Sequence, residues 1–381
     1  METPFVFGRI ATEKNFTNRT IEIERLVNNF NSFVNTILIS PRRWGKSSLV
    51  AKASKIAMKN DETLRFCFID LYNIRSEEDF YQTLAKEVLK NSSSKMEEIS
   101  DNVKKFLGQF LPRISFSPGS DFDFSLGLNW KEIKMEPDEI INLPEKIAHE
   151  KNLRFVICID EFQNISEFEE PLAFQKKMRS LWQVHQKTSY CLYGSKRHML
   201  LDVFTSSSMP FYKFGDVVFL EKIDSTDWLE FIKTRFEETG KTIDDESINL
   251  ITSLTDCHPY YVQQLAQQTW FRTKRKCSKE LVFDAFENLV MQLSLLFQTL
   301  TDELSKTQIN FLKAILKNAI QLSSKSTIKE YQLGSSANVL KIKNALIKKE
   351  IIDIQIGEIS FMDPLYKYWL KKYYFKIYDR E

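Results

Sequence analysis

Glycine and proline are scarce in this chain, with 10 of each among 381 residues. An all-β sandwich built on tight turns uses more of both, so that class is set aside, and so are long disordered stretches. Cysteine is sparser still. Cys67, Cys158, Cys191, Cys257 and Cys277 are odd in number and form no C-x-x-C pair, which points to a reduced, intracellular chain without a disulfide framework. Of the four histidines, His149, His185 and His198 are isolated, and Cys257-His258 has no companions to complete a four-ligand zinc site. No apolar run approaches the roughly 20 residues that span a bilayer. The start, METPFVFGRIATEKNF, has no apolar signal core. The expectation is a cytoplasmic protein with no membrane partner.

What is present is ordinary in bulk and uneven in detail. The apolar fraction is 43% and the charged fraction 27%, typical of a globular chain long enough for two or three domains. Thirty Phe and 13 Tyr supply large rings for more than one core. The net charge of +2 is small, but residues 291–381 carry 14 basic against 9 acidic side chains. The rest is therefore mildly acidic.

The first half alternates short apolar runs with helical patterns. The runs are TILI (36–39), RFCFIDL (65–71), FVICID (155–160), SYCLYG (189–194) and VVFL (217–220). They are continuous rather than alternating, as in strands buried on both faces of a parallel sheet. Between them, Leu49, Val50, Ala53, Ile56 and Ala57 recur at helical spacing. Strand and helix in turn imply an α/β fold. Residues 95–150 break the rhythm: a segment at 113–129 alternates around Pro118-Gly119-Ser120 and reads as a β-hairpin in an insertion.

After Leu220 the strands fade into amphipathic helices, forming a helical domain to about residue 285 and a linking helix over 292–300. From Ser305 the order is helix, Ser-rich turn, short helix, Ser-rich turn, longer helix, then IIDIQI and ISFM pairing across Gly357 and Glu358. That is the winged form of the helix-turn-helix. The expected domains are 1–220, an α/β core with the 95–150 insertion; 221–290, a helical lid; and 291–381, a winged helix.

The strongest motif follows the first strand: Ile39-Ser40-Pro41-Arg42-Arg43-Trp44-Gly45-Lys46-Ser47-Ser48. Strand, loop and helix are the context in which G-x-x-x-x-G-K-S/T holds phosphate. Backbone N–H groups at the helix start face the phosphate oxygens, and the helix dipole adds attraction. Gly45 is expected to allow a close backbone approach. Lys46 supplies a cation to the β- and γ-phosphates, and Ser47 a hydroxyl to magnesium. Ser40 stands where the motif has its first Gly. Arg42 and Arg43 suit phosphate neutralisation, a domain contact or solvation alike, and Trp44 suits packing on the loop or against a base.

FVICIDEFQNI supplies the acidic partner. Asp160 ends a buried strand, at the edge of a sheet where ligands bind, and is placed to hold magnesium. Glu161 follows and is placed to orient or deprotonate water. The next strand ends at Gly194-Ser195, which makes Ser195 a candidate sensor of the γ-phosphate.

These segments together resemble the archaeal-type ATPase family of the signal-transduction ATPases with numerous domains (STAND), a branch related to the AAA+ P-loop class. Phe16-Thr17-Asn18-Arg19-x-x-Glu22 resembles the family's F-x-N/G-R-x-x-E, P-R-R-x-G-K-S its Walker A, and Asp160-Glu161-Phe162-Gln163 its D-E-F-Q Walker B. Arg179-Ser180-Leu181-Trp182-Gln183, Gly194-Ser195-Lys196-Arg197-His198, His258-Pro259-Tyr260-Tyr261 and Asp363-Pro364-Leu365-Tyr366-x-x-Trp369-Leu370 resemble its later segments. The resemblance implies ATP or ADP with Mg2+ in a cleft between sheet and helical domains, with Asn18 and Arg19 near base or ribose and His258 and Pro259 near phosphates or base. Two segments depart from it. Cys257 stands where the family usually has Gly, and Pro210-Phe211-Tyr212-Lys213-Phe214 resembles P-L-Y-G-R without its Arg. Arg179 and Arg197 are candidates to replace that cation.

The expected function is a slow ATPase acting as a nucleotide-dependent switch, with a protein partner at the winged helix or the insertion. The alternative is a DNA-binding regulator with nucleotide as a structural ligand, suggested by Lys341, Lys343, Lys348 and Lys349. A small-molecule kinase fits less well, because Glu161 directly after Asp160 suits water activation. Self-association stays open.

Overall fold

A computed structural model of the protein describes residues 3–11, 13–92, 136–355 and 358–378. They divide into two compact units. One comprises Arg19–Arg42 and Lys46–Glu221; the other comprises Met1–Asn18, Arg43–Gly45 and Lys222–Glu381.

The first unit is built on five strands: β1 (Thr36–Ile39), β2 (Leu64–Asp70), β3 (Arg154–Asp160), β4 (Thr188–Gly194) and β5 (Asp216–Phe219). They coincide with the five apolar runs. All pairings are parallel, in the order β2-β3-β4-β1-β5. Every residue of β1 and β4 is buried, as the unbroken runs require for strands covered on both faces. The order puts β4 between β1 and β3, with Ile39 beside Gly194 and Asp70 beside Asp160. The loops leaving β1, β3 and β4 therefore emerge side by side at the carboxyl edge.

Helix α1 (Thr20–Asn31) precedes β1, and α2 (Lys46–Asn60) follows it, burying Leu49, Val50, Ala53 and Ala57. Helix α3 (Glu77–Asn91) starts at Ser76, whose hydroxyl accepts from the Asp79 amide at 3.1 Å, and three acids occupy its first turn. The hairpin expected at 113–129 lies outside the described residues. Residues 137–151, read within the same insertion, form two short helices, Pro137–Ile141 and Leu143–Lys151. Their Ile140, Ile141, Leu143 and Ile147 join the sheet's core. An aromatic cluster closes that core, with Trp182 stacked on Tyr190 at 3.8 Å between ring centroids.

The second unit is helical. Ser225–Glu237, Asp245–Leu254 and Pro259–Arg272 pack with a helix of 24 residues, Lys279–Asp302. The separate linking helix expected over 292–300 is the second half of that element. No Gly or Pro interrupts it, and its buried side chains run from Val282 to Thr301. The winged order follows: helices Lys306–Leu316, Lys325–Glu330 and Ser336–Lys348, then β6 (Ile352–Gln355) antiparallel to β7 (Glu358–Phe361). The Ser-rich turns are helix starts. Ser305, Ser324 and Ser335 each accept from an amide three residues on, and Ser305 forms a full capping box with Gln308. Phe5, Trp228, Phe286, Phe311, Leu346 and Tyr366 share one continuous core.

Candidate functional site

The loop leaving β1 is buried at Ser40, whose hydroxyl donates to the Pro41 carbonyl at 3.1 Å. Arg43 and Gly45 have φ of +63° and +90°. At Gly45 the requirement is conformational. A Cβ there would meet no protein atom within 4 Å, so within the protein the left-handed φ is what glycine answers. The space beside Gly45 is open, and α2 begins at the next residue, so its first amides and dipole face the loop.

Lys46, Ser47, Asp160, Glu161 and Ser195 meet. The Lys46 ammonium lies 3.0 Å from Glu161 Oε1 and 3.2 Å from Asp160 Oδ1. Ser47 Oγ donates to Asp160 Oδ2 at 2.7 Å, and Asp160 Oδ1 accepts the Glu161 amide at 2.8 Å. Glu161 Oε2 takes three donors: Ser195 Oγ at 2.8 Å, the Ser195 amide at 3.1 Å and Gln163 Nε2 at 2.6 Å. Arg42 reaches the same place, its Nε donating to Ser195 Oγ at 3.4 Å.

The two carboxylates titrate in opposite directions. Burial pushes Asp160 up, and the opposing pull of Lys46 and Ser47 does not overcome it. Burial also acts on Glu161, but the Lys46 charge and the Gln163, Ser195 and Lys46 hydrogen bonds outweigh it and hold the group at about 2. Glu161 itself has φ +51°, a left-handed backbone that costs roughly 1–2 kcal/mol and turns its carboxylate toward Ser195.

The other predicted residues lie in several environments. Trp44 sets its ring against the edge of His258, 6.2 Å between centroids and 80° apart, and the Arg43 guanidinium sits 4.5 Å over Tyr260. His258 is buried, and its Nδ1 has no hydrogen-bond partner. Burial, joined by the charges of Arg43 and Lys222, lowers it to about 4, so it is neutral at pH 7. Pro259 opens the helix that follows. Asn18 hydrogen-bonds Asp227, while Arg19 pairs with Glu22 at 2.8 Å. Ser48 is buried on α2.

Two positions where the resembling family has Gly keep its backbone conformation. Cys257, where the family has Gly, has φ +53°, and Lys213, at the Gly of P-L-Y-G-R, has φ +52°. The left-handed backbone is kept without its usual residue. Phe214, at the Arg of that segment, lies under the Arg179 guanidinium at 4.9 Å, and Arg197 lies 5.6 Å over Phe219. Residue-type reasoning gave no role to Gln163. The signal was its place in D-E-F-Q.

The donor set suits a magnesium–nucleotide complex. A hydroxyl and a carboxylate are hard oxygen ligands, and a helix start with a lysine accepts anionic phosphate. No group of three or more His, Cys, Asp or Glu among the described residues forms a metal site by itself. A cation here would depend on ligand oxygens.

The sheet order, the loop and the C-terminal layout define the P-loop ATPase fold of ORC-like proteins, ending in a winged helix domain. A family model described as "Probable winged helix domain" matches residues 295–372. No curated protein matches the chain in sequence. Among solved structures, the chain is similar to a Walker-type ATPase of Pyrococcus abyssi, with TM-score 0.69 and 18% identity over 97% of this chain and 100% of that one. It is also similar to the ORC2 protein of Aeropyrum pernix, solved as ADPNP–ADP complexes, with TM-score 0.57 and 13% identity over 95% and 94%. The ORC1 protein of Aeropyrum pernix, solved with DNA, aligns at TM-score 0.50 and 12% identity over 98% and 99%. At these identities the likeness is one of fold. No helix among the described residues is long and apolar enough to cross a membrane.

Proposed function

We propose that this protein binds ATP or ADP with Mg2+ at the loop ending in Lys46 and hydrolyses ATP slowly, as a nucleotide-dependent switch. The observation that carries the proposal is the convergence of Lys46, Ser47, Asp160, Glu161 and Ser195 within hydrogen-bonding distance. Lys46 and the first amides of α2 would bind phosphate. Ser47 and Asp160 would hold magnesium, which supplies charge neutralisation at the phosphate oxygens. Glu161 is the general base, and its Oε1 is held by the ammonium that phosphate would attract. Phosphate binding therefore loosens Glu161 for proton transfer, which couples occupancy to activation. Ser195 bridges Glu161 and Arg42 and serves as the sensor.

The finer placement within the STAND branch, the base contacts of Asn18, Arg19, His258 and Pro259, and the division at about residues 220 and 290 belong to the same proposal. They rest on the motif resemblance. The test is phosphate release by purified protein beside Lys46→Ala and Glu161→Gln, together with mass analysis for retained ADP or ATP. Wild type alone should release phosphate above background, and identical traces from all three would remove the hydrolytic role.

A second reading is DNA binding through the winged helix. Lys341 and Lys348 are exposed on helix Ser336–Lys348, with Lys349 just beyond it, and the ORC1 protein of similar fold was solved with DNA. That helix carries no Arg, the commonest reader of guanine. A protein partner at this face is therefore the preferred form of the switch.

A further inference from the structure

Gln163 is 1% exposed and lies in the turn Phe162–Glu167 just after β3. Its Nε2 donates to Glu161 Oε2 at 2.6 Å. Its Oε1 is buried with no partner, an arrangement that ordinarily costs about 1–3 kcal/mol. The side chain also passes so close to β4 that a Cβ on Gly194 would stand 2.0 Å from its Oε1 and 3.1 Å from its Cδ. Two independent features are thus arranged around one amide. Its acceptor is left unsatisfied while its donor is spent on Glu161, and the neighbouring strand ends in the one residue type that lets it pass.

We infer that Gln163 is a positioning residue for Glu161, and that Gly194 exists at the end of β4 to admit it. The inference rests on the hydrolytic role proposed for Glu161. The carboxylate has two differently held oxygens. Oε1 is held by the Lys46 ammonium, and Oε2 by Gln163 and the two Ser195 donors. When phosphate draws Lys46 away, Oε1 is released to accept a proton from water, while the neutral donors keep Oε2 in place. A base anchored through one oxygen and open at the other keeps its aim. Gln163 supplies an uncharged donor that phosphate does not attract. The turn explains why residue i+2 does this work: with Glu161 at φ +51°, its carboxylate is folded back over the start of the turn that carries Gln163.

Gln163→Met keeps the length of the side chain and removes both the donor and the orphaned acceptor. Expected is a fall in kcat on the order of 10- to 100-fold with KM for ATP unchanged, and a melting temperature equal to or above wild type. Gly194→Ala should lower kcat in the same way with Gln163 intact, and the double variant should be no worse than either single one. A merely structural Gln163 would instead lower the melting temperature and leave kcat where it was; that result overturns the inference while Glu161→Gln remains inactive. If wild type releases phosphate no faster than Glu161→Gln, the hydrolytic reading fails first and takes this one with it.

Discussion

The two units use charge in opposite ways. In the sheet unit, residues from the ends of β1 and β3 bring one ammonium within 3.0 and 3.2 Å of two carboxylates, all largely buried. On the winged helix, Lys341 and Lys348 face solvent, and the Lys349 ammonium donates to the Glu303 carbonyl at 3.4 Å. Burial strengthens every interaction in the first group, since charges in a low-dielectric setting interact more strongly. Solvent and salt screen the second group within about 10 Å. Convergence marks a place where chemistry can occur, and dispersal marks a surface that can only attract.

The largest effects should fall on the convergent group. Lys46→Ala and Glu161→Gln should each lower phosphate release by about 100-fold or more, as loss of a preorganised group in a buried site does. Lys46→Ala should also lose nucleotide on purification, while Glu161→Gln should retain it. Comparable loss from both in a nucleotide-binding assay would break the distinction between holding phosphate and activating water.

The next effect concerns pH. His258 falls from an ordinary 6.5 to about 4 on folding. A base with a depressed folded value stabilises the fold above the unfolded value and loses that contribution as pH falls from 6.5 through 4. Over that window the cost is roughly 3 kcal/mol. Denaturant titrations at pH 7 and pH 4 should show wild type losing about that much more than His258→Phe. Equal losses would mean that the buried imidazole is not what senses acid. Glu161 acts lower: held at about 2, it contributes above pH 4.5 and fades as pH falls toward 2.

Smaller effects belong to the left-handed positions. Cys257→Gly and Lys213→Gly should each raise stability by about 0.5–1 kcal/mol, read as a higher denaturation midpoint, because glycine relieves a positive φ. The smallest effect on phosphate release should come from neutralising Lys341, Lys343, Lys348 and Lys349, with a change below about twofold expected for dispersed, screened charges. The same variant tests the second reading: salt-dependent duplex binding, if present, should lose slope with each phosphate contact removed.

Much of this was legible beforehand. All five sheet strands lie within a residue or two of the apolar runs, and the Ser-rich turns of the tail cap the helices they precede. The break expected between the lid and a linking helix was not found, because Lys279–Asp302 buries its side chains along its whole length in one continuous core. Gly45 was identified for a close approach to phosphate, and the fold adds its φ of +90° as a second requirement. Gln163 was quoted within a motif and given no work, since nothing in its side chain predicts an orphaned amide. Cys257 stood out as a departure, and only its backbone angle shows that the departure is in residue type and not in conformation; Lys213, which also replaces a Gly, was passed over.

Taken alone, the order of residues determined the strands, the loop from β1 into α2, the helix caps and the winged arrangement. These depend on periodicity and on neighbours a few positions apart. Only the folded chain decided the protonation of Glu161, the pairing of its two oxygens and the need for glycine at 194. The first two follow from Ser195 and Lys46, 34 and 115 residues from Glu161, and the third from Gln163; the strand order β3-β4-β1 brings them to one edge.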